Sequence, residues 1–397
     1  MIAGAVALFL PLSVTGMPPV LVVVPLLLCV AHISLHDRGG SSTPNSPGVQ
    51  RHSLYLLCAF LISCVLAALF STDRMESLET LAVMIPGLFM AWLLQRIPQE
   101  QLRTIVLGLA LMACSAVFVA LITIAQSPNS NPALVFSQSR SPALVVANDL
   151  VLAVILLPLL IAYYQTSRNQ WARVFCAAFL VALCIAIYRV QSRLCLLTLA
   201  LILVIQLYRY RRRHFLKILI AASCALLVLD QVLDLNILRH LLMLSTENAR
   251  LSIWASGLIA ADSHPIIGLG PGQFDRAYLL GKASTTFPDW IMVDSRGVPW
   301  AHNLYLESLV ERGALGLVAL LLLLWVIFSS LYRTAKHSSG EIRLMYSAIL
   351  LAFIAFLFAG LFELTLQRSW VANLLFLFWA LSARADTDKR TTHVGVG

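Results

Sequence analysis

The sequence predicts an all-α polytopic membrane protein, and two observations support this fold class. First, 59% of the 397 residues are hydrophobic and only 12% are charged, whereas about a quarter of the residues in a soluble domain are charged. Second, the apolar runs are continuous rather than alternating, which indicates membrane helices and not barrel strands. This composition excludes a water-soluble globule and an intrinsically disordered chain.

The apolar runs predict about twelve transmembrane helices in a single integral membrane domain that covers residues 1–397. Each run has about the 20 residues that a bilayer crossing needs. Pro86 and Pro158 fall within predicted spans, where neighbouring helices can satisfy the freed carbonyl groups. The longest segment between spans is 232–302. The predicted spans lie near 1–15, 18–35, 53–70, 77–95, 102–125, 146–164, 171–188, 194–209, 215–231, 304–331, 344–362 and 370–382.

The distribution of basic residues predicts the orientation of the chain. Most of the 28 lysines and arginines fall in one set of loops, which includes the Arg-Tyr-Arg-Arg-Arg cluster at 209–213. Lysine and arginine concentrate in cytoplasmic loops. We therefore expect a bacterial inner-membrane protein with both termini in the cytoplasm, and with 232–302 as one larger periplasmic loop.

The basic residues expected on the outer side are nearly all arginines, which indicates phosphate recognition. A guanidinium binds phosphate through two parallel hydrogen bonds and keeps its charge, so these residues suit a lipid-linked phosphate or diphosphate. Alternatively, individual arginines pair with nearby aspartates or with lipid headgroups. The outer basic residues are Arg74, Arg140, Arg189, Arg193, Arg239, Arg250, Arg276, Arg296, Arg312, Arg368 and Lys282.

Three sequence patterns follow one another in the second half of the chain. The first is Gln191-Ser192-Arg193, which opens a predicted span. The second joins Arg250-Leu-Ser-Ile-Trp254 to Asp262-Ser-His-Pro-Ile-Ile-Gly-Leu-Gly-Pro-Gly-Gln-Phe274. The third is Ala301-His302-Asn303-Leu-Tyr-Leu-Glu-Ser-Leu-Val-Glu-Arg-Gly-Ala-Leu-Gly316. In this order they resemble the O-antigen ligase and polymerase superfamily of bacterial membrane glycosyltransferases. The resemblance covers roughly 140–380 and extends more weakly to Asn148 and Phe362-Glu363, and Leu194 stands where the family often has glycine.

Two of these patterns indicate chemistry without the family. The glycines at 268–272 either bring the N–H groups of Gly270 and Gly272 close to an anion or form a tight turn without a ligand. His302 is expected in the first turn of a helix, whose dipole disfavours the protonated ring, so a neutral imidazole could accept a proton. Asn303 is expected to cap this helix or to orient the histidine. Glu307, one turn further, either contacts one of these two residues or is solvated.

The resemblance implies an inner-membrane glycosyltransferase of the GT-C type, most like an O-antigen ligase. The implied donor is a polysaccharide on undecaprenyl diphosphate, and the implied acceptor is a sugar hydroxyl of lipid A–core at the periplasmic face. His302 is the expected general base for an inverting attack, with Arg193 and Arg250 stabilising the diphosphate charge. The eight cysteines have neither CxxC nor metal-ligand spacing, and no Asp/Glu metal cluster is visible, so neither a metal nor a cofactor is expected. The expected substrate-binding residues are Arg193, Arg250, Asn303, Gly270 and Gly272.

Two alternatives stay open from the sequence. An O-antigen polymerase would use the same donor with another lipid-linked chain as acceptor. A polytopic glycolipid exporter would perform no chemistry, although a transporter should place polar groups near the middle of its spans. Arg189, Arg276 and His264 are further candidate site residues, of which His264 fits a structural turn position.

Overall fold

The computed structural model describes residues 48–95, 101–126, 147–190, 192–217, 219–221, 224, 249–294 and 297–385. These residues are helical without a strand, as predicted. Seven helical segments among them are long and apolar enough to cross a membrane, and one of these segments, Arg74–Gln95, consists of two consecutive helices. The spans predicted near 1–15 and 18–35, and most of 215–231, lie outside the described residues.

The described residues form twelve α-helices, numbered here in chain order. Short 3₁₀ turns at Ala147–Leu150 and Arg212–His214 flank two of them. The helices are α1 (Gly48–Leu69), α2 (Arg74–Ala82), α3 (Ile85–Gln95), α4 (Leu102–Gln126), α5 (Val151–Thr166), α6 (Gln170–Val190), α7 (Arg193–Arg211), α8 (Arg250–Ala261), α9 (Phe274–Ala283), α10 (Leu304–His337), α11 (Gly340–Gly360) and α12 (Ser369–Ala385).

Helices α5, α11 and α12 form the interior of the bundle. Nearly all of α5 is buried, and it packs between α4 and α11, while α12 packs against α3 and α10. Large apolar side chains such as Trp171, Val181 and Leu203 are exposed on the outer helices. This inside-to-outside pattern matches a bundle whose periphery faces lipid, where helices associate through close packing rather than through the hydrophobic effect.

The single span predicted over 77–95 consists of two helices, α2 and α3. Because α3 begins at Ile85, Pro86 lies in its first turn, where a missing N–H breaks no intrahelical hydrogen bond. Asp73 caps α2 by accepting a hydrogen bond of 3.1 Å from the Glu76 N–H. Helix α2 and the turn before it lie against the glycine-rich stretch at 268–272, where Gly270 meets Ser71 and Ser77 and Gly272 meets Thr80.

Helix α10 is broken at Gly313, where φ is 64° and ψ is −171°. The turn that follows α8 fills this break. The Pro265 and Ile266 carbonyls accept from the Ala314 and Leu315 N–H groups at 2.8 and 3.1 Å. The N–H groups of Leu269 and Gly270 donate to the Val310 and Glu311 carbonyls at 3.0 and 2.9 Å. All four of these backbone groups of α10 therefore have a hydrogen-bond partner despite the break, as a helix end requires.

We expect Gly313→Ala to lower the stability of the bundle. A Cβ at this position would overlap the Ile266 carbonyl, and this backbone region costs a residue other than glycine about 1–3 kcal/mol. Thermal unfolding of the purified protein in detergent measures the loss. Leu315→Ala, at a side chain that is 45% exposed, is the control and should melt close to wild type. Equal melting temperatures for wild type and Gly313→Ala would contradict this account of the break.

Candidate active site

Helices α8 and α9 form a small unit that packs on the first turns of α10. Its buried apolar cluster includes Ile253, Leu269, Phe274 and Tyr278. The Tyr278 hydroxyl and the Lys282 Nζ both donate to the Asp294 carbonyl at 2.7 Å, which fixes the return of the chain towards α10. This unit holds the first residue of α8, Arg250, beside the beginning of α10.

The glycine-rich turn binds a carboxylate of the protein itself. Gly268, Gly270 and Gly272 all have positive φ, as the sequence predicted for a tight turn. However, the Gly270 N–H donates to the Glu311 carbonyl, and the Gly272 N–H donates to Glu311 Oε1 at 2.9 Å. Both N–H groups expected to bind substrate thus hydrogen-bond to Glu311, and their contact with substrate stays a prediction.

His302 lies at the entrance to α10, outside its first turn. It precedes Asn303, whose Oδ1 accepts from the Tyr305 and Leu306 N–H groups at 3.0 Å each, so the predicted capping role of Asn303 is confirmed. The predicted first-turn position of His302 is wrong: its φ is 52°, a value that is uncommon outside glycine. Trp254 Nε1 donates to the Ala301 carbonyl at 2.9 Å and holds the chain just before this strained residue.

His302 contacts a buried carboxylate. Its Nδ1 lies 3.0 Å from Glu363 Oε1, and the Glu363 side chain is 1% exposed whereas that of His302 is 24% exposed. An ionised carboxylate only accepts hydrogen bonds, so the imidazole places its proton on Nδ1. Nε2 then keeps its lone pair and can accept a proton from a bound hydroxyl.

Glu363 also accepts hydrogen bonds from two arginines. Arg250 Nη2 lies 3.1 Å from Oε2, and Arg368 Nη2 lies 3.2 Å from Oε1. Burial alone would raise the pKa of Glu363, but the hydrogen bond from His302 and the electrostatic attraction of His302, Arg368 and Arg250 outweigh it and lower the pKa to about 2. The carboxylate is therefore ionised throughout the physiological range.

Arg368 connects Glu363 to the start of α5. Its Nη1 pairs with Asp149 Oδ1 in the 3₁₀ turn that leads into α5, and Asp149 is fully buried. Its guanidinium lies over the Trp300 ring, 4.8 Å from the centroid, and Trp300 meets His302 edge to face. Stacking and ion pairing together fix the orientation of Arg368.

Arg193 and Arg250 lie close enough to influence each other. Arg193 is the first residue of α7, behind the Ser192 cap, whose Oγ accepts from the Cys195 N–H. Burial lowers the pKa of Arg250, Glu363 raises it, and the positive charge of Arg193 lowers it again. Of the three residues expected from the sequence to be catalytic, His302 and Arg250 thus share the Glu363 carboxylate, and Arg193 lies near enough for its charge to act on Arg250.

A comparison with known families gives this cluster a context. The family model described as O-antigen ligase matches residues 178–321. These residues are therefore similar to the O-antigen ligase family. The expected resemblance to this superfamily is therefore confirmed, and the chain is a membrane enzyme of the O-antigen ligase or polymerase type. No curated protein matches the chain.

The O-antigen ligase segment contains only half of the cluster. Arg193, Arg250 and His302 fall within it, whereas Asp149, Glu363 and Arg368 lie outside. For two of these partners the sequence contains a weak signal: Glu363 lies in the Phe362-Glu363 pair of the family pattern, and Arg368 is one of the outer arginines. The pairing of Arg368 with Asp149 joins residues 219 positions apart, and sequence spacing cannot reveal such a contact.

Glu307 is buried, so the expectation that it could be solvated is wrong. Its Oε2 accepts from the Ala301 N–H at 3.3 Å, and its Oε1 accepts from the Thr365 hydroxyl. One carboxyl group therefore connects the segment that carries His302 to the segment that carries Glu363. One turn further, Glu311 Oε1 accepts from Gln367 Nε2 at 2.9 Å and strengthens the same connection.

The remaining candidates make contacts elsewhere. His264 is exposed, and its Nδ1 lies 2.9 Å from Ser263 Oγ in the turn after α8, consistent with the structural position expected from the sequence. Arg276 Nη1 donates to Thr72 Oγ1 at 3.0 Å, between α9 and the start of α2. Arg189 occupies the last turn of α6. His264 and Arg276 therefore provide matched control positions for the cluster.

We expect Glu363→Gln to destabilise the protein at neutral pH and the difference to disappear in acid. The native pKa of about 2 lies below the usual value of 4.5, so the stabilisation is complete above pH 4.5 and is lost as the pH falls towards 2. A shift of this size corresponds to about 3 kcal/mol. Unfolding of both proteins in detergent at a series of pH values measures it.

Glu341→Gln is the matched control, because that carboxylate is 49% exposed and 4.0 Å from Arg103. An exposed pair of this kind contributes at most about 1 kcal/mol. A constant difference between Glu363→Gln and wild type from pH 7 to pH 3 would contradict the low pKa.

Proposed function

We propose that this protein is an O-antigen ligase. It transfers a polysaccharide from undecaprenyl diphosphate to a sugar hydroxyl of lipid A–core at the periplasmic face of the inner membrane. The observation that carries the proposal is the hydrogen bond between the accessible His302 and the buried Glu363, next to Arg250. This arrangement supplies an oriented base beside a cation, as glycosyl transfer from a diphosphate requires.

His302 acts as the general base. The acceptor hydroxyl gives its proton to Nε2 while its oxygen forms a bond to the anomeric carbon of the donor. The bond from that carbon to the diphosphate oxygen breaks on the opposite face, so the configuration inverts. Glu363 holds the ring through Nδ1 and stabilises the imidazolium that forms, in the way a buried carboxylate supports a catalytic histidine elsewhere.

Arg250 and Arg193 hold the diphosphate. Arg250 and Arg368 pair with Glu363, and Arg368 also pairs with Asp149. Together with Arg193, whose charge acts on Arg250, the three guanidinium groups outnumber the two carboxylates by one. The Arg250 side chain is 26% exposed, so an anionic ligand can reach it. Within the described residues no group of three His, Cys, Asp or Glu side chains could hold a metal ion. We assign the stabilisation of the leaving group to Arg193 and Arg250, because guanidinium groups carry the positive charge that a departing diphosphate needs.

A groove beside the cluster suits the lipid tail of the donor. It has a volume of about 510 Å³, within the range of ligand sites, and it lies between α10 and α11. It begins at Tyr305, three positions after His302, and at Leu361, two positions before Glu363. An isoprenoid chain in this groove would leave its diphosphate beside Arg250. The groove is lined by Tyr305, Leu321, Leu324, Trp325, Phe328, Leu357 and Leu361.

The His302→Gln variant should still bind the donor but lose transfer. Removing the proton acceptor at Nε2 should lower kcat by about 10²–10⁴-fold, with little change in donor affinity. An in vitro assay with purified protein, donor and lipid A–core measures both quantities. His264→Gln removes a histidine from the exposed turn after α8 and should transfer normally. If His302→Gln keeps more than a tenth of wild-type kcat, His302 is not the base.

Arg193→Lys and Arg250→Lys should each weaken use of the donor by tenfold or more. Lysine keeps the charge but loses the planar fork that binds phosphate through two hydrogen bonds, and hydrogen bonds to charged groups are worth about 1.5–3 kcal/mol. The readout is kcat/KM for the donor. Arg276→Lys, which alters the contact with Thr72, is the control and should match wild type. Normal turnover in both cluster variants would identify these arginines as structural.

The acceptor distinguishes a ligase from a polymerase, since both would use the same cluster. In a ligase deletion strain, long polysaccharide on undecaprenyl diphosphate should accumulate while lipid A–core stays uncapped. Gels of lipopolysaccharide and of the lipid-linked pool show this directly. Core capped with a single repeat unit would instead identify the protein as the polymerase. Unchanged lipopolysaccharide and an unchanged lipid-linked pool would reject both activities.

A further inference from the structure

A second cleft lies at the end of the bundle opposite His302. Its volume is about 270 Å³, and it is formed where α7, α10 and α11 meet. The stretch of α10 after the break at Gly313 separates the two sites by about 35 Å, given the helical rise of 1.5 Å per residue. Nothing in the proposed transfer reaction requires this cleft.

Three cations from three different helices line the cleft. Arg209 comes from the last turn of α7, Lys336 from the last turn of α10 and Arg343 from the first turn of α11. All three side chains are exposed. Like charges that converge in this way repel one another, and an anion between them would remove the repulsion.

The nearby acidic residue does not neutralise these cations. Glu341, two positions before Arg343, lies 4.0 Å from Arg103 Nε on α4. In the described part of the chain, no carboxylate forms an ion pair with Arg209, Lys336 or Arg343. Among the described residues, the positive charge of the cleft is therefore not compensated.

The floor of the cleft is apolar, which indicates a lipid rather than a free anion. Ile205, Leu351 and Ile354 lie beneath the cations, towards the middle of the helices. A headgroup phosphate at the level of Lys336 would place its acyl chains along these side chains. A basic pocket between transmembrane helices at the membrane surface has the chemistry that binds anionic phospholipids.

We infer that this cleft is a binding site for an anionic phospholipid. The phosphate binds among Arg209, Lys336 and Arg343, and the acyl chains follow the groove between α7 and α11. A lipid in this place contacts three helices at once and holds the end of α7 against α10 and α11. The other end of α7 begins at Arg193, so the lipid supports the helix that carries a residue of the active-site cluster.

The test is lipid binding by the full chain purified in detergent, followed by native mass spectrometry and thermal unfolding. The probes are phosphatidylglycerol, cardiolipin, phosphatidylethanolamine and inorganic phosphate. The wild-type protein should retain phosphatidylglycerol and cardiolipin in the mass spectrum, and both lipids should raise its melting temperature. Phosphatidylethanolamine and inorganic phosphate should do neither. Removing all three cations in R209Q/K336Q/R343Q should weaken binding on the order of a hundredfold, at about fivefold for each cation.

The matched control removes the same charge from the same end of the bundle. R211Q/R212Q/R213Q changes three neighbouring arginines that do not line the cleft, and it should bind anionic lipid as wild type does. The single variants K336Q and R343Q should each bind anionic lipid about fivefold more weakly than wild type. They keep the test valid if the triple variant misfolds. Equal losses in the two triple variants, equal retention of phosphatidylethanolamine, or equal stabilisation by inorganic phosphate would overturn the assignment.

Discussion

The ionised carboxylate of Glu363 is the feature on which the rest of the active-site cluster depends. A buried charge is expensive unless it is paired and hydrogen-bonded, and Glu363 is 1% exposed. Its two oxygens satisfy this requirement by accepting from His302, Arg250 and Arg368, which come from three separate parts of the chain. This one buried anion therefore holds three side chains: His302, the proposed base, Arg250, the proposed phosphate ligand, and Arg368, which continues the network to α5.

The broken helix α10 keeps this carboxylate in register with His302. Residues 265–270 satisfy the backbone groups freed at Gly313, so the first part of α10 is held in place. From that part, Glu307 hydrogen-bonds on both sides, to the Ala301 N–H before His302 and to Thr365 after Glu363. The glycine-rich turn and the acidic residues of α10 thus serve the geometry of the cluster, and the proposed chemistry falls to the partly exposed His302 and Arg250.

The membrane helices and part of the active-site cluster could be predicted from the sequence. The physical reasons for this also explain which contacts could not be predicted. Continuous apolar runs locate membrane helices because a bilayer crossing needs about 20 apolar residues, and the Asn303 cap follows from a local rule. The family patterns likewise pointed to Arg193, Arg250 and His302. The role of Glu363 and its link through Arg368 to Asp149 depend on tertiary contacts, which spacing does not encode. The contacts of Glu307 and of the Gly270 and Gly272 N–H groups with their own chain could not be predicted, because a polar group beside a loop looks the same in sequence whether it binds solvent, substrate or its own chain.

The most direct test of the central claim is a double-mutant cycle of His302→Ala and Glu363→Gln, with kcat for polysaccharide transfer as the readout. If Glu363 acts through His302, Glu363→Gln should lower kcat strongly in the wild-type background and much less where His302 is already alanine. The measurement belongs at neutral pH and at a temperature at which all four proteins stay folded. The same fold-loss from Glu363→Gln in both backgrounds would contradict the claim, because the carboxylate would then act independently of the histidine.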